Sequence, residues 1–226
     1  MSLAYAGGRG RVQCAIGLVL MVLALLAPSA SAQSAAARAT AAQPQRTLLV
    51  MGDSLSAAYG LSASQGWVAL TSELIARKKP GWHVVNASIS GETTAGGVSR
   101  IAAELKRTRP GVVVIELGAN DGLRGLPLAQ TRANLERMIK LSQASGAKVL
   151  LIGMRMPPNL GRDYTQGFER NFSELAKLHK TAFLPFLLEP IALDRANFQA
   201  DNLHPVAAAQ PKLRDHVWKS LAVLLQ

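Results

Sequence analysis

LLVMGDSLSAAYG, residues 48–60, runs four apolar residues straight into Gly52-Asp53-Ser54. An apolar run that stops abruptly at glycine has the pattern of a strand buried on both faces. The serine that follows has two readings. It is either a nucleophile presented at the end of a strand or a turn serine capping the next helix. Capping serines are common, so the choice rests on what the rest of the chain places beside it.

Outward from this stretch, strand-like and helix-like segments alternate five times. Apolar runs recur at 83–88 (HVVNAS), 112–118 (VVVIELG), 147–154 (AKVLLIGM) and 183–187 (FLPFL). Between them lie segments of helical period at 67–79, 98–108, 131–145 and 168–180, with a closing helix expected over 204–226. Pro80-Gly81, Pro110-Gly111 and Gly146 punctuate the first three. Near-continuous apolar strands separated by amphipathic helices predict an α/β fold. It is expected to be a three-layer α/β/α sandwich on a central, mostly parallel five-stranded sheet. In such sheets the ligand site lies beyond the carboxyl ends of the strands.

Those ends are rich in glycine and small polar residues. They read GDSLS (52–56), SISGETTAGG (88–97), GANDGLRG (118–125) and RMPPN (155–159), with DNLHP (201–205) before the last helix. A serine hydroxyl attacks a carbonyl only when a base takes its proton. Of the four histidines, His83, His179 and His216 fall in a strand or among helical Lys and Arg, which suits surface or packing roles. His204 sits in a loop, three residues after Asp201 and just before a proline that could open a helix. Asp201 could accept one ring N–H and leave the other nitrogen for the Ser54 proton; an ordinary Asx turn explains the same five residues. Oxyanion donors could come from the N–H of Ser54 at a helix start, the N–H of Gly91 and the side-chain amide of Asn120. The glycine and the asparagine are equally good turn formers. Asp53 and Asp121 are expected to be structural, accepting from nearby loop N–H groups.

Bulk properties narrow the class. The 226 residues are 49% hydrophobic but only 5% aromatic, so the core is aliphatic. Residues 1–32 carry a basic start (Arg9, Arg11), an apolar run over 14–27 and Ala30-Ser31-Ala32. This is the pattern of a signal peptide cleaved after Ala32, with export to the periplasm or beyond. The run is short for a bilayer span. The only cysteine, Cys14, would leave with the signal, and the net charge would fall from +11 to +9. Residues 33–45 (QSAAARATAAQPQ) read as a flexible leader and 46–226 as the folded domain. The basic charges are scattered as on solvated helix faces, with weak contact to an anionic membrane surface as the alternative. Nothing resembles a nucleic-acid-binding motif, a nucleotide loop, a metal cluster or the G-x-S-x-G elbow.

At this point four blocks carry a resemblance. GDSLS, SGET, GAND and D-x-x-H-P, in this order, are similar to the four blocks of the SGNH (GDSL) hydrolases. The longer strings GDSLSAAYG, ASISGETTAGG and ELGANDGLRG resemble the branch of periplasmic thioesterases, lysophospholipases and arylesterases. The likeness runs from about residue 47 to the C-terminus. It implies a nucleophile at Ser54, an Asp201/His204 pair, oxyanion donors at Ser54, Gly91 and Asn120, a flavodoxin-like sandwich and no cofactor or metal. It implies a small acyl ester or thioester as substrate; a monomer is expected. Asn202 departs from the pattern, which usually has glycine there; asparagine tolerates a left-handed backbone better than most residues.

Leu55, Leu123, Leu126, Met156 and Pro157, with Met154 and Pro158, could line an acyl groove or simply pack the loops. Two rival functions use the same loops. One is a carbohydrate O-acetyl esterase, which the scarcity of aromatics for sugar stacking disfavours. The other is a binding module that holds an anion without turnover.

Overall fold

The computed structural model describes Ser2 and residues 45–226. Apart from Ser2, the expected signal peptide lies outside the described residues, as does all of the leader but Gln45.

Five strands alternate with helices in chain order. They are β1 (Arg46–Gly52), α1 (Trp67–Lys78), β2 (Trp82–Asn86), α2 (Thr94–Thr108), β3 (Val112–Glu116), α3 (Ala119–Leu123), α4 (Leu128–Ala144), β4 (Lys148–Ile152), α5 (Arg162–His179), β5 (Ala182–Leu184) and α6 (Gln210–Leu221). The sheet order is β2-β1-β3-β4-β5 and every pairing is parallel. The all-parallel sheet explains the unbroken apolar runs: Leu48 to Met51, Val112 to Ile115 and Val149 to Ile152 are buried, because both faces of the sheet are covered.

The covering follows from the handedness of crossovers. A parallel β-helix-β connection is right-handed, so the direction of the step decides the face its helix takes. The step from β1 to β2 goes one way along the sheet, and every later step goes the other. Accordingly α1 packs against α6, while α2 packs on α4 and α4 on α5. The three layers are thus α1 with α6, the sheet, and α2, α4 and α5, with the short α3 in the loop after β3. The reversal of direction also makes a switch point at β1 and β3, where the loops leaving the two strands part to opposite faces and open a crevice.

Element boundaries differ from the sequence reading where polar residues begin a helix. Helix α2 starts at Thr94 rather than 98, because Thr93 caps it and the Thr94 N–H goes to a carboxylate oxygen of Asp121 at 2.8 Å. Helix α5 starts at Arg162, and its first turns are too polar for their period to show. Strand β5 ends before Pro185. The largest correction is at the C-terminus. The helix expected from 204 begins at Gln210, with Pro211 in its first turn. Pro205 instead pairs with Phe198 in an isolated antiparallel bridge, so His204 rides on a hairpin-like loop. Among the described residues no helix is long and apolar enough to cross a membrane.

Ile115, fully buried at the middle of the sheet, gives the core a test. Ile115→Ala should lower the unfolding free energy by about 2–5 kcal/mol. Urea denaturation would read this as a lower midpoint with an unchanged slope.

Candidate active site

Strand β1 ends in Gly52, and the chain then turns rather than entering a helix. Residues 54–60 are successive turns, closed by Ala57 N–H to the Asp53 carbonyl at 2.9 Å and Tyr59 N–H to the Ser54 carbonyl at 3.1 Å. Ser54 therefore caps no helix. Its Oγ lies 2.8 Å from Nε2 of His204. The other ring nitrogen, Nδ1, lies 2.6 Å from Oδ2 of Asp201. The three side chains, from opposite ends of the chain, form one relay.

The acid is anchored by its own turn. Oδ1 of Asp201 accepts the N–H of Leu203 at 2.9 Å and that of His204 at 3.0 Å. These backbone donors, His204 first, together with the imidazole bond hold its carboxyl down at about 2. The turn requires a left-handed residue, and Asn202 supplies it at φ 61°. The departure from glycine leaves the aim of His204 intact.

The three other histidines are engaged elsewhere. His83 meets Thr47, His179 meets Glu136, and His216 meets the Phe186 carbonyl.

Of the expected donors on the loops after β2 and β3, Asn120 lines the cavity beside Ser54 and Gly91 does not. Gly91 has φ 80°, which a side chain would strain. Its N–H and that of Ser54 donate to no acceptor among the described residues. Asn120 is the second residue of the short helix α3, where the sequence suggests a loop. Its Nδ2 donates to the Glu92 carbonyl at 3.0 Å and, at a long 3.3 Å, to Oδ2 of Asp53. One amide thus ties the β1, β2 and β3 loops together, and the Asp53 contact is the weaker of its two bonds.

Asp53 is fully buried and accepts the Leu55 N–H at 3.0 Å. Asp121 accepts from Thr94. Burial pushes the Asp53 carboxyl up to about 6, against the pull of the Leu55 N–H and of His204.

Beside Ser54 and His204 opens a cavity of about 450 Å³, whose wall is largely apolar. Leu55, Leu123, Met156 and Pro157 line it, as do Met154 and Pro158. Leu126 does not. It stands outside, where its carbonyl accepts the Tyr164 hydroxyl at 2.9 Å. Phe186 and Leu188, beyond β5, also line the cavity; no motif marks them in the sequence. Such a cavity holds a small, mostly apolar ligand with its polar group at one end.

Other supporting residues escape a motif-based reading. The ring of Tyr59 sits 4.4 Å from that of His204. Glu92, nearly buried, pairs with Arg100, whose Nη2 also donates to the Ala87 carbonyl at 2.7 Å, fixing the β2 loop. Glu116 ends β3, fully buried, and accepts the Ser56 hydroxyl at 2.6 Å. Burial first, and then the neighbouring Asp53, drives its carboxyl well above the usual range. It carried one signal: an acid inside an otherwise apolar strand.

The chain is similar in sequence and fold to several known proteins. A sequence model of the GDSL-like lipase/acylhydrolase family matches residues 50–210. Esterase TesA of Pseudomonas aeruginosa is 51% identical over 180 residues, 80% of this chain and 90% of that protein. Thioesterase 1/protease 1/lysophospholipase L1 of Escherichia coli is 42% identical over 179 residues, 79% of this chain and 85% of that one. The crystal structure of the psychrotrophic esterase EstA from Pseudoalteromonas sp., inhibited by monoethylphosphonate, superposes with a TM-score of 0.76 at 39% identity. It covers 80% of this chain and 99% of its own.

The burial of Asp53 has a measurable sign. Its folded value near 6 exceeds the ordinary 3.8, so the folded protein holds that proton more tightly. The resulting stability is present below the lower value and lost as pH rises through the higher one. Asp53→Asn should therefore gain roughly 1–3 kcal/mol relative to the unsubstituted protein between about pH 4 and about pH 7. Urea denaturation of both proteins at the two pH values measures the difference.

Proposed function

The chain belongs to the GDSL-like lipase/acylhydrolase family and is a hydrolase of ester bonds, and from that premise we propose that it works as a serine esterase through an acyl-Ser54 intermediate. The observation that carries this reading is the relay itself: Ser54 Oγ to His204 Nε2 at 2.8 Å, and Nδ1 to Asp201 at 2.6 Å.

With Asp201 ionised and accepting from Nδ1–H, the imidazole keeps Nε2 free to take the hydroxyl proton. Ser54 Oγ then attacks the carbonyl carbon. The oxyanion that forms is held by the N–H groups of Ser54 and Gly91 and by the Asn120 amide. For the last of these, the loosely held Nδ2 hydrogen turns from Asp53 to the new charge. The protonated imidazole gives its proton to the leaving alcohol or thiol, and the acyl group stays on Ser54. A water molecule, deprotonated by His204, attacks that ester and releases the acid and the free serine. The apolar cavity beside Ser54 takes the acyl chain. The family resemblance and the relatives' names support esters and thioesters of acyl chains, of the arylesterase, thioesterase and lysophospholipase type. The pattern over residues 1–32 supports cleavage after Ala32 and a periplasmic or secreted enzyme.

Ser54→Ala should lower kcat by about 10⁴-fold or more with the fold intact, and a fluorophosphonate probe should label the native enzyme at residue 54 alone. Hydrolysis by the variant at the native rate would refute the role. Asn120→Ala should lower kcat about 100-fold with a smaller change in KM; an unchanged rate would make Asn120 a turn residue only. A series of nitrophenyl esters and thioesters from acetyl to long acyl chains should show kcat/KM rising as the chain fills the cavity. A preference for acetyl esters would favour the O-acetyl esterase instead.

A further inference from the structure

Ser54 and His204 stand 150 residues apart in the chain. Their loops are nevertheless joined by an unbroken series of hydrogen bonds that passes through one side chain. The Ser54 carbonyl accepts the Tyr59 N–H at 3.1 Å. The Tyr59 carbonyl accepts from Nε2 of Gln199 at 2.9 Å. The same nitrogen donates to the Pro205 carbonyl at 3.1 Å, and the backbone N–H of Gln199 to the His204 carbonyl at 2.8 Å. Both amide hydrogens are used, one on the nucleophile's turn and one on the histidine's loop.

We propose that Gln199 is a positioning residue that sets the separation of nucleophile and base, an inference that rests on the serine-esterase reading above. The task suits glutamine. It needs a neutral group with two diverging hydrogens on one atom, reaching two carbonyls of different loops. Glutamate would set acceptors against acceptors, and methionine has the length without the donors. The space is shaped to match. A Cβ on Gly60 would fall 2.2 Å from Oε1 of Gln199, so Gly60, itself at φ 75°, leaves the slot in which the amide lies. The Tyr59 and His204 rings also meet between the loops, tilted by 38°, a contact far less directional than these hydrogen bonds. Gln199 does not line the cavity. Its loss should therefore affect proton transfer and not substrate binding, since a misplacement of about 1 Å can cost about 100-fold in rate.

The test compares the unsubstituted enzyme with Gln199→Met, Gln199→Ala and Gly60→Ala. For Gln199→Met, kcat on a nitrophenyl ester should fall about 10- to 100-fold. The rate of fluorophosphonate labelling at Ser54 should fall by the same factor, with KM within about 3-fold. Gly60→Ala, which expels the amide from its slot, should give the same signature. The double variant G60A/Q199A should be no slower than the slower single variant by more than about 3-fold, because both changes break one link. Native kcat in Gln199→Met, or multiplicative losses in the double variant, would overturn the assignment. A native enzyme that is not labelled at Ser54 would instead overturn the esterase mechanism itself. Should Gln199→Ala fail to fold, Gln199→Met and Gly60→Ala still decide the matter.

Discussion

A hydroxyl and an imidazole carried by segments 150 residues apart have to meet within one hydrogen bond, and much of the architecture serves that meeting. The parallel sheet brings the ends of β1 and β3 side by side at the switch point, so Ser54 and Asn120 face the same crevice. The C-terminal segment returns after β5 over the α1 face and sets its hairpin-like loop against the turn after β1. The aliphatic core supplies the rigidity. Four consecutive residues at the centre of β3 are fully buried, so the strand end that carries the β3 loop has little room to move.

Around that meeting the molecule spends polar groups at unusual density. Asp53, Glu116 and Asp121 are carboxyls with almost no exposure, each bonded to a loop that forms the rim. Burying carboxyls is costly, and the cost is visible in the upward displacement of Asp53 and Glu116. Asp201 is the contrast. Its side chain is about a third exposed, and its ionisation is secured by two N–H groups of its own turn. The buried acids hold shape, while the exposed one is held ionised against the imidazole.

The alternation of strands and helices was legible because burial on both faces leaves a plain signature: unbroken runs such as VVVIE between segments of helical period. The placement of the loops followed from the general behaviour of parallel sheets. The pairing of Asp201 with His204 was legible because they stand three positions apart. What escaped was pairwise and distant. Nothing in the run FQAD announces that Gln199 reaches across to Tyr59, and nothing in PFLL says that Phe186 and Leu188 wall the cavity. The closing helix was begun six residues early because Pro205 has the credentials of a helix start. In the fold its carbonyl and its bridge to Phe198 are used to steady His204. Leu126 is an apolar loop residue like its neighbour Leu123, and nothing in the sequence tells that only Leu123 lines the cavity.

Much of the cavity wall comes from a different part of the sheet than the serine does, although Leu55 and Leu123 also line it and His204 follows β5. Ser54, Gly91 and Asn120 follow the first three strands, whereas Met154, Met156, Phe186 and Leu188 follow the last two. Part of the wall, residues 154–158 and 186–188, is therefore separate in the chain from the Ser54–His204–Asp201 relay. Substitutions confined to residues 154–158 and 186–188 would change the shape of the cavity while leaving Ser54, Asn120 and the Asp201/His204 loop as they are. Divergence within such a scaffold can proceed at those wall positions and leave the relay untouched.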